Sequence, residues 1–361
     1  MKIGIYDPYL DDLGGGEKYM MAIAACLTKD HDVVVFWDNE KDLKDLKERF
    51  LLDLSGIKIG KNIFSPNVGI LQRLKATSEF DVIFVLSDGS IPLVSSKKLF
   101  IHLQQPMSHI KALPLKTKLK LFRVTSLFCN SKFTKSYIDK TFRIESKVVY
   151  PPVEFYPKIV KKENIILNVG RLRVRDVTVD GAPIGDFKKQ SVMVETFKEM
   201  VKDGLKDWKF VLAISVKEED KEAFEKIQKL AEGVPIEFVV NKNNKLLWDV
   251  YNKAKIYWHA TGFGEDIFNH PEYTEHFGIS TVEAMGAGAV PVVINAGGQP
   301  EIVTDGENGF LWDTLGELKK KTNMLIEDPK LLTKLGKSAA ARSKNFGGNR
   351  FCEDIYELLE I

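Results

Sequence analysis

Short β-branched and aromatic runs alternate with longer amphipathic stretches along this chain, and they do so in two consecutive series. The first series predicts strands at 2–6, 32–37, 81–86, 98–102, 126–129 and 147–150. The second predicts strands at 164–169, 208–214, 235–240, 255–259 and 290–294. Several of these runs are continuously apolar, as parallel strands covered on both faces must be. An alternation that restarts predicts two parallel α/β sheets, and 361 residues exceed what one ordinary core holds. Pro151-Pro152 supplies the break, because two prolines fit neither a helix interior nor a central strand. The expected organisation is a Rossmann-like doubly wound domain over 1–153, a second over 154–345, and a C-terminal helix over 346–361 packing back on the first. In open sheets of this kind ligands bind beyond the carboxyl ends of the strands.

Composition narrows the classes of function. Lys and Arg number 52 against 50 Asp and Glu, so an anionic partner must be met by a local patch. The three cysteines, Cys26, Cys129 and Cys352, are far apart and form no Cys-x-x-Cys pair. That set argues against a disulfide framework and a structural zinc site, and for a reducing compartment. No apolar run has the length of a signal peptide or a membrane span. A cytoplasmic protein is expected, one still able to lie on a membrane surface.

The most informative stretch is Glu275-His276-Phe277-Gly278-Ile279-Ser280-Thr281-Val282-Glu283-Ala284-Met285-Gly286-Ala287-Gly288. Glu275 is expected just before a helix, with Glu283 about two turns in on the same side, and with Ser280 or Thr281 capping the start. Free N–H groups at a helix start attract phosphate and sugar oxygens. A carboxylate beside them accepts hydrogen bonds from sugar hydroxyls, and a second one further along takes a ribose diol. Two glutamates alone would more readily be solvated helix residues; the residues around them decide otherwise.

That run, continued by Ala289-Val290-Pro291-Val292-Val293, Gly297-Gly298-Gln299-Pro300-Glu301-Ile302-Val303 and Asn308-Gly309-Phe310-Leu311, resembles the signature of the retaining glycosyltransferase family 4, of GT-B fold. The resemblance implies that Glu275 contacts the donor sugar and Glu283 its ribose. It implies that the backbone at Phe277, Gly278 and Ile279 meets sugar and phosphate oxygens. It also places an Arg and a Lys against the leaving diphosphate, here Arg171 at the end of a strand and Lys188 before a helix; Lys189 fits the register less well. Between them lies 172–187, a longer connection than the family usually has, whose Val-Thr-Val-Asp-Gly-Ala-Pro segment suggests an inserted hairpin or flap. The family needs no cofactor beyond the nucleotide-sugar substrate and usually no metal.

The acceptor side is expected in the first half. Asp7 to Lys18 carries Gly14-Gly15-Gly16-Glu17 before a helix, and three glycines let a backbone approach a ligand closely. Their spacing matches neither the dinucleotide fingerprint nor a P-loop. It is similar to the family's glycine loop between acceptor and donor phosphate, which assigns Gly14 and Gly15 to the acceptor and Gly16 to the donor. His102 in Ile101-His102-Leu103-Gln104-Gln105-Pro106 resembles the family's strand-end histidine beside the reacting sugar. Cys129-Asn130-Ser131-Lys132-Phe133-Thr134 and Val149-Tyr150-Pro151-Pro152-Val153 are similar to the dolichol-pathway mannosyltransferases of the same family, which favours GDP-mannose slightly over UDP-glucose or UDP-N-acetylglucosamine as donor. The acceptor is expected to be a glycan or lipid-linked. No nucleic-acid partner is expected.

Leu113 to Arg123 is basic and amphipathic. Leu115, Leu119 and Phe122 share one helical face, beside Lys116, Lys118, Lys120 and Arg123. Such a helix either packs by its leucines or lies on an anionic bilayer. Other readings of the whole chain are a non-catalytic sugar-nucleotide-binding subunit, a soluble enzyme making a small glycoside, a GT-B phosphorylase or epimerase, and a metal enzyme using Glu265, Asp266, His270, Glu272 and His276. That last set lacks Asp-x-Asp or His-Glu-x-x-His spacing.

Overall fold

The computed structural model describes residues 1–12, 14–50, 52–108, 110, 113–174 and 186–360, without the side chains of Arg49 and Phe50. The chain divides into two units, Met1–Pro152 with Gly348–Ile361, and Val153–Gly347.

The first unit is built on seven parallel strands: β1 (Lys2–Tyr6), β2 (Asp32–Phe36), β3 (Lys58–Gly60), β4 (Val82–Ser87), β5 (Lys98–Leu103), β6 (Ser126–Cys129) and β7 (Lys147–Val148). Their order is β3-β2-β1-β4-β5-β6-β7, so the winding reverses between β1 and β4. The helices include α1 (Gly15–Leu27), α2 (Glu40–Phe50), α3 (Ile70–Thr77), α4 (Leu115–Leu121) and α5 (Lys132–Phe142). Strand side chains alternate between two apolar layers. Ile3, Ile5 and Phe84 pack with Met20 and Ile23 of α1, Leu43 and Leu46 of α2, and Phe351 and Ile355 of the last helix, Gly348–Leu359. Ile83, Val85, Leu99 and Ile101 pack with Ile138 and Phe142 of α5.

One expectation is overturned here. Cys26 on α1 and Cys352 on the last helix form a disulfide, with Cα atoms 5.5 Å apart. Their sequence separation of 326 hides the pair from any spacing rule; only the packing of the last helix on α1 brings them together. Cys129 is a buried free thiol whose burial pushes its pKa up to about 12.

The second unit holds six parallel strands: β8 (Ile165–Arg171), β9 (Lys209–Ser215), β10 (Ile236–Val240), β11 (Ile256–His259), β12 (Val290–Ile294) and β13 (Phe310–Trp312). Their order is β10-β9-β8-β11-β12-β13, with its reversal between β8 and β11. Helix α6 (Gln190–Lys202) buries Met193, Val194, Phe197 and Met200 at helical spacing against Phe210 and Trp258 of the sheet. The two unpredicted strands, β3 and β13, have three residues each, too few to show a period of two. Two Rossmann-like parallel sheets are the GT-B architecture. No helix among the described residues is long and apolar enough to cross a membrane.

Candidate active site

The winding reversal of the second sheet gathers Glu275, Lys188 and the last residues of β8 and β11. Lys188 Nζ lies 2.5 Å from Glu275 Oε2, and His259 Nε2, at the end of β11, lies 3.3 Å from the same oxygen. Glu275 keeps 23% of its side-chain surface exposed, so the pair sits at the mouth of the strand ends rather than in the core. Burial alone would raise the Glu275 carboxyl. The Lys188 ammonium and the His259 hydrogen bond together outweigh it and hold the group far below the usual carboxylate range. His259 is buried, which lowers its pKa and keeps the ring neutral; its Nδ1 has no partner among the described residues.

Lys188 reaches this point because the chain turns sharply into α6. Lys189 takes a left-handed conformation (φ 59°), and Asp186 caps the helix by accepting from Gln190 N at 2.5 Å and Ser191 N at 2.8 Å. Lys189 points elsewhere and pairs with Glu265 at 2.6 Å. Val174 and Asp186 form an antiparallel bridge at the foot of the long connection; its interior, 175–185, lies outside the described residues. Gln190 is fully buried beside Gly170 and Lys188, and neither its Nε2 nor its Oε1 has a partner among the described residues. Arg171 ends β8 with an exposed side chain.

The loop carrying Glu275 corrects the expected helix geometry. The helix is Ile279–Gly286, so Glu275 lies four residues before it and Glu283 about one turn in. Neither Ser280 nor Thr281 caps it. Gly278 occupies the cap position at φ 121°. Ser280 Oγ meets the Tyr257 hydroxyl at 2.7 Å, and Thr281 Oγ1 donates to Gln299 Oε1 at 2.9 Å. The loop is pinned from behind: Gly298 N donates to Glu275 O at 2.8 Å, and Gln299 Nε2 donates to Phe277 O at 3.4 Å. A Cβ on Gly298 would run into the His276 carbonyl, and one on Gly297 into the Glu275 carbonyl. The Gly-Gly-Gln motif therefore sets the path of the Phe277, Gly278 and Ile279 backbone.

Glu283 Oε2 accepts from the Tyr251 hydroxyl at 2.8 Å. Tyr257 feels both Glu275 and Glu283, and its burial together with these charges raises its pKa. His259, Tyr251, Tyr257 and Gln190 were not singled out from the sequence. His259 ends the apolar run Ile-Tyr-Trp-His, and a polar residue there, at a winding reversal, is the signal that would have found it.

The residues of the other acceptor and donor expectations belong to the first unit. Gly15 and Gly16 open α1, and Gly14 N donates to Glu17 Oε2 at 2.6 Å, so the chain's own carboxylate occupies that amide. His102 is buried in a stack on Tyr19, ring centroids 4.0 Å apart. Burial pushes its pKa down to about 3. The Phe128 backbone and the Gln104 side chain are its polar neighbours; neither makes a well-formed hydrogen bond to it.

The loop with Glu265, Asp266, His270, Glu272 and His276 is paired in other ways. Glu265 meets Lys189, Asp266 meets Asn269, and His270 meets Glu272. Among the described residues no three His, Cys, Asp or Glu side chains are grouped to hold a metal ion.

Residues 182–342 match the family described as Glycosyl transferases group 1. A GDP-Man:Man(3)GlcNAc(2)-PP-Dol alpha-1,2-mannosyltransferase of Dictyostelium discoideum is 22% identical over 67% of this chain, which spans 49% of that enzyme's length. An alpha-1,3/1,6-mannosyltransferase of the same organism is 32% identical, over 24% of this chain and 21% of that protein. An uncharacterized glycosyltransferase of Methanocaldococcus jannaschii is 24% identical over 85% of this chain and 80% of its own. Among solved structures, Anabaena HepE in complex with UDP superposes with a TM-score of 0.72 at 18% identity, covering 100% of both chains. A glycosyltransferase from Rickettsia africae gives 0.71 at 16% identity, covering 99% of this chain and 97% of that one. Residues 182–342, within the second unit, thus resemble the glycosyl transferases group 1 family, on a chain of GT-B fold.

Proposed function

We propose that the protein is a retaining family 4 glycosyltransferase that moves a hexosyl group from a nucleotide-sugar donor to a glycan or lipid-linked acceptor. The observation that carries this reading is the Lys188–Glu275 pair at the winding reversal of the sheet matched by the family. In this reading Glu275 holds the donor sugar, Glu283 the ribose, and the Phe277, Gly278 and Ile279 backbone the sugar and phosphate oxygens. Lys188 and Arg171 oppose the charge that grows on the leaving diphosphate, the stage at which a fixed cation lowers the barrier most. Gly14 and Gly15 serve the acceptor, Gly16 meets the donor, and His102 stands beside the reacting sugar. The chemistry needs no metal in this account, because two fixed cations supply the charge. HepE in complex with UDP and with UDP-glucose, and one relative named for GDP-Man, support a nucleotide-sugar donor and leave UDP and GDP as the bases to compare. A thermal-shift screen against UDP, GDP, ADP and their sugars tests the reading; a rise with none of them contradicts it.

The helix α4 favours a membrane-borne acceptor. Leu115, Leu119 and Phe122 are 72%, 60% and 87% exposed, so these three side chains do not pack on the core, whereas Leu121 does. Lys116 and Lys118 are exposed beside them, while Lys120 and Arg123 donate to the carbonyls of Ile91 and Ser96. An apolar face flanked by lysines suits an anionic bilayer, each basic residue adding about 1 kcal/mol. Sedimentation with anionic liposomes that neutral liposomes match, or that Lys116→Gln with Lys118→Gln leaves unchanged, would remove this part of the reading.

A further inference from the structure

Two donors of different kinds converge on one oxygen of Glu275. Lys188 Nζ lies 2.5 Å from Glu275 Oε2, on a flexible stem that keeps 23% of its side-chain surface exposed. His259 Nε2 lies 3.3 Å from the same oxygen, on a ring that is 3% exposed at the end of β11. Thr261, two residues on and fully buried, brings its Oγ1 to 3.3 Å from the same ring nitrogen. Its carbonyl accepts from the hydroxyl of Thr274, the residue before Glu275, at 3.4 Å. The end of β11 thus grips the Glu275 loop at two consecutive residues. Both contacts to the carboxylate fall on Oε2, which leaves Oε1 for a ligand.

The state of the ring follows from what surrounds it. An ionised carboxylate only accepts hydrogen bonds, so Nε2 must carry the proton. Nδ1 has no partner among the described residues, and burial disfavours a second proton on the ring. His259 is therefore the neutral Nε2–H tautomer, a donor fixed by the strand end behind it. Lys188 is not fixed in this way. In the glycosyltransferase reading the arriving diphosphate competes for its ammonium, with more negative charge than one carboxylate carries. Once Lys188 turns to the diphosphate, His259 remains as the anchored donor to Glu275.

We infer that His259 is a positioning residue: it holds Glu275 Oε2 so that Oε1 stays available to the donor sugar when Lys188 leaves for the diphosphate. The inference rests on the assignment of Glu275 to the sugar. It makes the Lys188–Glu275 pair a resting contact that the donor exchanges. It also gives His259 a part in recognising the sugar, and none in recognising the nucleotide.

Calorimetric titration of the full chain with the nucleotide, and with the nucleotide-sugar, found in the donor screen gives the ratio of the two affinities. Glu275→Ala is expected to shift that ratio against the nucleotide-sugar; an unchanged ratio overturns the assignment of Glu275 and the inference with it. His259→Phe, which keeps a buried ring and removes the donor, is expected to shift the ratio about tenfold in the same direction. His259→Gln, whose amide supplies an N–H in place of Nε2–H, is expected to stay within about threefold of the parent. In a Glu275→Ala background His259→Phe is expected to add nothing. A parent-like ratio in His259→Phe, or an equal loss of both ligands, makes the histidine purely structural; it overturns the inference and leaves the donor reading standing. A chain that binds neither ligand overturns both. Ring nitrogen-15 NMR of the parent decides the matter whether or not a variant folds. Nε2 protonated and Nδ1 bare is expected with and without nucleotide-sugar, and a proton on Nδ1 overturns the inference.

Discussion

Lys188 Nζ and Glu275 Oε2 lie 2.5 Å apart although 87 positions separate the residues in the chain. Asp186, two residues before Lys188, makes this possible by capping α6 and fixing the turn from which the lysine projects. If Lys188 stabilises the leaving diphosphate, Lys188→Ala lowers turnover by about 10²–10³-fold, the usual loss for one preorganised charge-stabilising group. Lys189→Ala instead removes the partner of Glu265, so it lowers Tm and leaves turnover within a few fold. Steady-state rates for the two variants check this; the opposite pattern shifts the assignment by one residue.

Gly298→Ala is expected to disrupt donor binding without touching any side chain of the site. Its Cβ meets the His276 carbonyl and the Phe277 backbone, so the loop carrying Glu275 must move. Overpacking of this kind costs about 1–3 kcal/mol. Gln299→Leu, which breaks the contacts to Thr281 and Phe277 but leaves the backbone path open, should give a smaller loss. Nucleotide titration and Tm for both variants test the ranking.

The Cys26–Cys352 disulfide closes nearly the whole chain, so its reduction should destabilise the first unit. Loop-closure arguments and measured losses put the effect at roughly 2–5 kcal/mol. Thermal unfolding with and without reductant, and of Cys352→Ser, checks it. A single Tm shared by the oxidised, reduced and substituted forms would contradict a stabilising role.

Asp7 makes stability depend on pH in a direction that can be worked out. Burial raises its carboxyl from 3.8 to about 7; the Tyr9 N–H opposes this, and the Glu17, Asp11 and Asp12 carboxylates add to it. Asp88 also faces the intervening Tyr6 and Tyr9. A group that holds its proton more tightly when folded contributes full stability below its unfolded value. That contribution is lost as pH rises through about 7. Asp7→Asn cannot ionise, so its Tm relative to the parent should rise between pH 5 and pH 8, by an amount equivalent to roughly 2–4 kcal/mol. A Tm difference that is flat across that range would show that Asp7 titrates normally.

Much of the sheet architecture was legible because parallel strands are short, apolar and separated by amphipathic helices, and eleven of the runs listed by pattern fall on strands. The Glu275–Glu283 stretch was legible through its motif, yet its geometry was not. Eight-residue spacing suggested two glutamates on one helix, whereas a glycine at positive φ starts the helix only at Ile279. Nothing local in the sequence distinguishes those cases, because the loop is held by Gly297, Gly298 and Gln299 from another strand end. His259 and Tyr251 were hidden for a related reason: His259 ends an apolar strand and Tyr251 sits on an amphipathic helix, and each gains its polar role from a partner 16 or 32 positions away. The disulfide was hidden because it joins α1 to the last helix, a contact that only the folded first unit creates.

The most direct test of the central claim is calorimetric titration of the full chain with the nucleotide and nucleotide-sugar found in the thermal screen, repeated on Glu283→Ala and Tyr251→Phe. Glu283 accepts from Tyr251 at 2.8 Å and is the residue assigned to the ribose. Loss of a charged hydrogen bond costs about 1.5–3 kcal/mol, so Glu283→Ala should weaken binding of both nucleotide and nucleotide-sugar by roughly 10- to 150-fold. Tyr251→Phe, which only loosens the carboxylate, should cost about 1 kcal/mol. Tight binding that survives Glu283→Ala unchanged, or no heat from any nucleotide or nucleotide-sugar, would contradict the account.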